Sequence, residues 1–223
     1  GSSVDSLEGL YHADWTRTEE GPKLRLHVFD PQTGLRLSPV LVDFPEPPQF
    51  LAYEDTVKKA LPECPYTLLD HVTLNGKQIV RVSSETPDEI RDLRDAIGLD
   101  DVFEADVPYA RRVMVDFGLR VGQPTAALFV DIETDPTGDM PDPQIADRRI
   151  LSISAKDRKT GEEWFFCEMD EQALIAKFLL LMDKYPVIAT FNGNHFDWPY
   201  MINRCAKLGI DFWWDRFVHV DLL

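Results

Sequence analysis

Two acidic residues at the end of an apolar run are the first feature that could do chemistry. In the stretch FVDIETD, residues 129–135, Asp131 and Glu133 are separated by a single residue, so in a β-strand both side chains would project from the same face. Neighbouring carboxylates repel each other unless a cation lies between them, and Mg²⁺ and Mn²⁺ prefer such hard oxygen ligands. A pair of exposed acids at a strand end has the same sequence, so the pair alone does not identify a metal site.

A second acidic position lies further along the chain, in the stretch TFNGNHFD, residues 190–197. This stretch follows a short apolar strand, turns at an Asn-Gly pair and ends at Asp197, where the dipole of a predicted helix favours negative charge. Open α/β sheets place their ligands at the carboxyl ends of strands, so Asp197 is predicted to meet Asp131 and Glu133 there. Three or four carboxylates can hold two divalent metals for phosphoryl transfer.

The elements that would position these acids alternate between strands and helices. Apolar patterning predicts strands over residues 126–132, 149–155, 163–167 and 187–191. The same patterning predicts amphipathic helices over residues 170–184 and 198–208. This order of elements predicts an α/β sheet with helices packed on it.

A differently organised region precedes the polar, Gly- and Pro-containing segment 118–125. Residues 23–29 alternate as a half-buried strand that a turn at residues 30–34 would lead into a return strand, and Asn75-Gly76 indicates a second hairpin. Thr86-Pro87 is typical of a helix start, and Gly98 would end that helix. The sequence therefore predicts a small α+β domain over residues 4–124, followed by the α/β domain over residues 125–223.

The composition limits the kind of partner this chain can bind. Its 223 residues are 44% hydrophobic, and 39 acids against 23 bases give a net charge of -16, which argues against a basic clamp for duplex DNA. No apolar run approaches the roughly 20 residues of a membrane span, and no signal peptide is apparent. Three scattered cysteines predict neither a zinc site nor disulfides. We therefore expect an intracellular, cytoplasmic protein without membrane contact.

The two acidic stretches together resemble a known family. FVDIETD is similar to the first exonuclease motif, and FNGNHFDWPY (191–200) to the second, of family B DNA polymerases, especially archaeal ones. VPYARRVMVDFGL (107–119) resembles the segment that those polymerases carry before the exonuclease. The resemblance implies a ribonuclease H-like 3′→5′ proofreading exonuclease after an amino-terminal domain. It also implies two partners, the single-stranded primer 3′ end and the remaining polymerase domains in the same chain or another subunit, and a nucleoid-associated location.

The resemblance also implies roles for particular residues. The metal-binding, catalytic carboxylates would be Asp131, Glu133 and Asp197, with Mg²⁺ or Mn²⁺ as the cofactor of a two-metal site. Contacts to the single-stranded 3′ end would come from Thr134, Asn192 and Phe196. Phe196 would act by stacking, which accepts any base.

One part of the family's site is expected to lie beyond this chain. The third exonuclease motif, a Tyr three residues before a fourth catalytic Asp, would follow Leu223, and Asp221 is interpreted as a structural strand residue. The exonuclease is therefore predicted to be truncated, with weak metal binding and little or no nuclease activity unaided. A stand-alone nuclease would need its fourth acid within these 223 residues, and no convincing Tyr-x-x-x-Asp motif follows Asp197.

An alternative function from another class is binding without catalysis. Archaeal relatives read template strands with the amino-terminal domain and capture deaminated bases, uracil in particular. By resemblance, the pocket here would consist of Tyr11, Pro47, Pro87, Ile90 and Tyr109. Ordinary structural roles compete with this hypothesis, because Pro87 would be the first residue of a helix and Tyr109 a core aromatic.

Overall fold

A computed structural model describes residues 8–103, 108–119, 121–191 and 195–222 of the chain. The strands are Leu10–Thr18 (β1), Gly21–Val28 (β2), Val40–Asp43 (β3), Gln49–Tyr53 (β4), Tyr66–Leu74 (β5), Lys77–Ser83 (β6), Val102–Phe103 (β7), Ala127–Thr134 (β8), Ile150–Asp157 (β9), Glu163–Phe166 (β10), Val187–Thr190 (β11) and Val218–Asp221 (β12). The α-helices are Glu54–Ala60 (α1), Pro87–Ile97 (α2), Tyr109–Asp116 (α3), Glu171–Met182 (α4) and Asp197–Lys207 (α5).

The chain divides into two compact units that are not continuous in sequence. The described part of the first unit comprises Ala13–Leu26 and residues 40–103 and 108–119. The described part of the second comprises residues 8–12, His27–Pro39 and residues 121–191 and 195–222. Two early segments therefore fold with the carboxyl-terminal part. The division predicted at residues 124 and 125 stays a prediction.

The first unit has a four-stranded sheet in the order β5-β6-β4-β7. Asn75 and Gly76 connect β5 to β6, and both have positive φ angles, 54° and 73°, as a two-residue hairpin turn requires. Thr86 and Glu89 form a capping box at the start of α2, where Pro87 is the first helical residue. The core of this unit consists of Phe50, Ala52, Val57, Val80, Val82 and Ile90.

Strand β2 pairs with a later partner than its sequence predicts. The return strand is β3, which aligns Lys23 with Asp43 and Leu26 with Val40, in a sheet of order β1-β2-β3. The turn after residue 29 leads instead to an isolated bridge between Phe29 and Arg36. The expected position of the return strand was wrong. Residues 27–39 belong to the second unit, and the chain returns to the sheet of β2 at β3.

The second unit is built on a five-stranded sheet in the order β10-β9-β8-β11-β12. Strands β8, β9 and β10 form an antiparallel meander, whereas β11 runs parallel to both β8 and β12. Helix α4 begins at an Asp170 cap and buries Leu174, Ile175 and Phe178 in the same core as Leu128 and Val130 of β8. This mixed sheet with packed helices confirms the α/β prediction.

Helix α5 enters the same core through Tyr200, Met201 and Cys205, all 0% exposed. The structure begins this helix at Asp197, one residue before the predicted start. Among the described residues, no helix is long and apolar enough to span a membrane.

Candidate functional site

The end of β8 carries the first two candidate ligands. Val130 and Ile132 are buried in the core, with 4% and 5% of their surfaces exposed, so the alternation of the strand turns Asp131 and Glu133 to the opposite, open face. Asp131 is aligned with Ser154 of β9, and the register of the pair shifts after Glu133. The two acids therefore lie at the end of a central strand, where β9 pairs with them and beyond the Ala127–Phe129 stretch that pairs with β11.

Asp197 approaches this site from the start of α5. Only 6% of the residue is exposed, although it begins a helix. The first turns of that helix are fixed by Tyr200, whose hydroxyl donates to the carbonyl of Arg148 at 2.6 Å and accepts from the amide of Arg148 at 3.0 Å. The helix therefore presents Asp197 from a packed framework.

Electrostatics links the three candidate carboxylates. The pKa of the Asp197 carboxyl is raised from 3.8 to about 7, and burial is the largest cause. The negative charges of three other acids add to the increase, and these are Asp131, Glu133 and Asp221. A carboxyl surrounded by like charges favours its protonated form, or an added cation that would neutralise the cluster.

The carboxylates act on one another through space without forming a closed ligand shell. In the part of the chain that the structure describes, no three His, Cys, Asp or Glu side chains converge closely enough to hold a metal ion. A cavity of about 600 Å³ opens beside Asp131 on the exposed face of the sheet. Aromatic side chains contribute to its wall, namely Phe129, Trp164, Phe165 and Phe191.

The predicted contacts to a single-stranded 3′ end occupy two places around these acids. Thr134 is half-buried and ends β8, directly after Glu133. Phe196 precedes Asp197 and stacks on Tyr200, with ring centroids 5.2 Å apart, while remaining half-buried. Asn192 lies outside the described residues. The roles of these residues stay predictions.

Four of the five predicted base-pocket residues belong to the first unit. The hydroxyl of Tyr109 donates to the carbonyl of Glu46 at 2.5 Å, which joins α3 to the loop that contains the exposed Pro47. Ile90 is 9% exposed and packs in the core of that unit, and Pro87 is the first residue of α2. This hydrogen bond joins Tyr109 to the loop of Pro47.

The fifth residue, Tyr11, belongs to the second unit. It is 5% exposed, and its ring lies 6.2 Å from both His27 and Phe29. Burial raises the pKa of its hydroxyl to about 12. Deaminated-base recognition by these five residues stays a prediction.

Sequence reasoning missed the influence of Asp221 on the site. The parallel pairing of β11 with β12 aligns Asp221 with Thr190, and its charge contributes to the raised pKa of Asp197. No local pattern signals this proximity, because it depends on the pairing of two strands that are far apart in sequence. The only available signal was an acid at the end of an apolar run, the same signal that identified Asp131.

Comparison with known proteins extends these observations. Residues 128–223 match the RNase_H superfamily. The chain is 31% identical over 152 residues to a DNA polymerase of Pyrococcus glycovorans, covering 60% of this chain and 19% of that protein. It is 32% identical over 145 residues to a DNA polymerase of Thermococcus kodakarensis, covering 56% of this chain and 8% of that protein. The chain thus spans less than a fifth of the length of these relatives.

A solved structure shares the fold over nearly the whole chain. It is the family B DNA polymerase of Pyrobaculum calidifontis, which aligns with a TM-score of 0.65 and 23% identity over 91% of this chain and 32% of that one. At this identity the match supports the fold. Both units therefore have counterparts in one larger protein.

Proposed function

We propose that the chain carries a metal-dependent 3′→5′ exonuclease site, because it is related to the amino-terminal and exonuclease region of archaeal family B DNA polymerases. Its substrate would be the 3′ end of single-stranded DNA. The further polymerase domains, in the same polypeptide or in a separate subunit, would be its partners. Proofreading of a newly made strand is the function that such a site serves.

One observation carries this proposal. Burial raises the pKa of the Asp197 carboxyl at the start of α5, and the charges of Asp131 and Glu133 at the end of β8 raise it further. A buried acid whose pKa is raised partly by acids from a distant segment requires a reason to lie there, and a strongly perturbed carboxyl is typical of functional sites. Binding of divalent cations provides that reason.

The chemistry of the donor set matches Mg²⁺ or Mn²⁺, although within the described residues the three carboxylates do not converge into a closed ligand shell. Carboxylate oxygens are hard ligands, and neither Cys nor His is among the three candidate residues, so the chemistry of the site favours these ions over zinc. The residues that would hold the metal are Asp131, Glu133 and Asp197. When bound, the metal would neutralise the phosphate and promote attack by water.

The protein's own contribution would be to orient the substrate. Asp131 and Glu133 are held by a central strand whose other face is buried, which limits the movement of both carboxylates. The half-buried ring of Phe196 lies next to Asp197 and would stack on the terminal base. Little basic surface is needed, because the metal rather than Lys or Arg would offset the phosphate charge.

The site is proposed to be weak in isolation. Three carboxylates from two motifs are present, whereas the family's third motif would add a fourth carboxylate and a tyrosine. Weak metal binding and slow or undetectable hydrolysis by the chain alone are therefore expected.

The test is a titration of the full chain with Mn²⁺, with the free ion measured by electron paramagnetic resonance. The double variant Asp131→Asn with Asp197→Asn should weaken Mn²⁺ binding at least about tenfold, because it removes two anionic ligands. Asp139→Asn, which neutralises an exposed acid, is the matched control and should leave the affinity unchanged. Equal Mn²⁺ binding by the parent and the double variant would overturn the proposed metal site.

Activity is measured separately on 5′-labelled single-stranded DNA. Slow or undetectable shortening from the 3′ end is the expected result. Rapid Mn²⁺-dependent degradation that Asp131→Ala abolishes would support the nuclease site but would refute the expectation that it is weak without the remaining motif. Degradation that survives Asp131→Ala would count against the site itself.

A further inference from the structure

Three side chains from three different elements meet beside the start of α5. The ring of Trp198 lies parallel to the His219 imidazole, with centroids 4.5 Å apart and planes within 7°. The Nε2 atom of His219 lies 2.7 Å from the hydroxyl oxygen of Thr190, a hydrogen bond whose donor depends on the imidazole tautomer. We refer to these three residues as the Thr190–His219–Trp198 network.

The network connects the elements whose mutual placement decides the geometry of the site. Thr190 is 1% exposed and ends β11, the strand that is paired with β8. His219 belongs to β12, and Trp198 is the second residue of α5, directly after Asp197. A displacement of Trp198 would therefore move Asp197 relative to Asp131.

Two aromatic contacts fix the first turns of α5 from different directions. Tyr200 bonds the helix to the backbone of Arg148, and Trp198 packs it on His219 of β12. Trp214 adds an edge-on contact to Trp198, with centroids 5.5 Å apart and an interplanar angle of 87°. Of these connections, the one through His219 includes a hydrogen bond to the buried hydroxyl of Thr190, a residue of the sheet.

We propose that Thr190, His219 and Trp198 are positioning residues that set the Asp197 carboxylate against Asp131 and Glu133 for metal binding. This inference rests on the proposed function, because it assigns the network to the same site. The hydrogen bond orients the imidazole, the imidazole orients the indole, and the indole fixes the first turn of α5. Partners that orient the ligands of a metal site typically affect affinity about 10- to 100-fold.

A purely structural role predicts a different outcome for shape-conserving substitutions. His219→Phe retains a ring that can stack on Trp198 but removes the hydrogen bond, and Thr190→Val retains the volume of the side chain but removes the hydroxyl. If the residues only fill space, neither substitution should alter metal binding. If the hydrogen bond orients the imidazole, both substitutions should weaken metal binding.

The experiment measures Mn²⁺ affinity of the full chain by electron paramagnetic resonance, alongside the thermal midpoint of each variant. Thr190→Val and His219→Phe should each weaken Mn²⁺ binding about tenfold. The double variant Thr190→Val with His219→Phe should lose little more Mn²⁺ affinity than either single variant, because both substitutions remove the same hydrogen bond. His219→Leu, which removes the stacking ring as well, should bind Mn²⁺ more weakly than His219→Phe.

The matched control is His27→Phe, which replaces a histidine that is 0% exposed and packs edge-on against Trp213 in the same unit. It should lower the thermal midpoint at least as much as His219→Phe but leave Mn²⁺ affinity unchanged. Weakening by His27→Phe as large as that by His219→Phe would show that affinity follows general stability, and would overturn the proposal.

The two proposals fail in distinguishable ways. If the parent chain binds Mn²⁺ no better than the double variant Asp131→Asn with Asp197→Asn, the proposed metal site is wrong, and the positioning role is wrong with it. If the parent binds Mn²⁺ through these acids while Thr190→Val and His219→Phe bind it equally well, only the positioning role is overturned.

Discussion

At the scale of single residues, the electrostatic cost of placing acids close together is seen in the raised pKa of Asp197. Its carboxyl is buried, and its pKa is raised to about 7 by that burial and by the charges of neighbouring acids, including Asp131. A carboxyl with a raised pKa in the folded state opposes folding wherever it must be ionised. The site is therefore expected to reduce stability in the absence of metal.

The first prediction concerns the pH dependence of this cost. Because the folded pKa lies above the ordinary value of 3.8, the native state retains a proton that the unfolded chain has lost, so stability falls as pH rises from roughly 4 to 7. Asp197→Asn removes the ionisable carboxyl and therefore this loss of stability at high pH. It should stabilise the protein by on the order of 2 kcal/mol at pH 8 and have little effect at pH 4.

Urea unfolding at both pH values measures the difference, with Asp139→Asn as an exposed-acid control. The same stabilisation at pH 4 as at pH 8 would contradict the assignment to a raised pKa. Saturating Mg²⁺ should reduce the advantage of Asp197→Asn, since the cation stabilises the ionised carboxylates of the parent.

At the scale of elements, α5 is joined to α4 by a largely buried ion pair. Arg204 contacts the carboxylate of Glu171 with two nitrogens, each at 2.8 Å, and the two side chains are only 11% and 10% exposed. Glu171 also accepts the amide of Ile150 at 2.8 Å, and Arg204 donates to the carbonyl of Ala146 at 3.1 Å. The helix that begins at Asp197 is thereby fixed at its other end.

The second prediction follows from the cost of leaving one buried charge without its partner. Arg204→Met should destabilise the second unit by about 3 kcal/mol, because the Glu171 carboxylate would stay buried. Combining Arg204→Met with Glu171→Met should recover part of that loss. Chemical denaturation of the single and double variants checks both expectations.

The control lies on the same α4 helix. Lys177 forms an ion pair with Glu168 at the surface, where the lysine side chain is 60% exposed, so Lys177→Met should change stability by less than about 0.5 kcal/mol. Equal destabilisation by Lys177→Met and Arg204→Met would mean that burial does not determine how much the Arg204–Glu171 pair contributes to stability.

At the scale of the whole molecule, the second unit includes a segment that precedes most of the first in sequence. Within the second unit, Arg36 donates to the carbonyl of Asp183 at 2.7 Å and forms an ion pair with its carboxylate at 2.8 Å. Leu35 packs against the main core of the unit. Residues 27–39 are therefore expected to contribute to the stability of the five-stranded sheet.

Glycine substitutions test this contribution. Gly34 has a φ angle of +76°, and a Cβ atom there would lie 2.7 Å from the backbone nitrogen of Ala126. Gly161 has a similar φ angle of +74° but open space around it. Gly161→Ala should cost about 1 to 2 kcal/mol through backbone strain alone, and Gly34→Ala about 2 kcal/mol more through the clash.

Thermal and chemical unfolding of both variants provides the comparison. Equal destabilisation would show that the segment around Gly34 does not pack closely against the start of β8. Because the two positions share their backbone conformation and differ in their surroundings, the difference isolates the tertiary contact.

Local sequence was sufficient wherever short-range physics decides the structure. The Asn75-Gly76 hairpin, the Thr86 cap and the apolar alternation that turns Asp131 and Glu133 to one face all follow from the preferences of neighbouring residues. The motifs around Asp131 and Asp197 also carried the resemblance to family B polymerases, which the comparisons bear out.

Only the tertiary structure decided what depends on contacts between distant segments. The parallel pairing of β11 and β12 aligns Asp221 with Thr190 and brings His219 within hydrogen-bonding distance of that threonine. The assignment of residues 27–39 to the second unit likewise depends on packing against segments more than a hundred residues away. Sequence specifies which carboxylates and rings each element presents, whereas strand order and helix packing decide which of them meet, because those energies arise between segments that no local pattern connects.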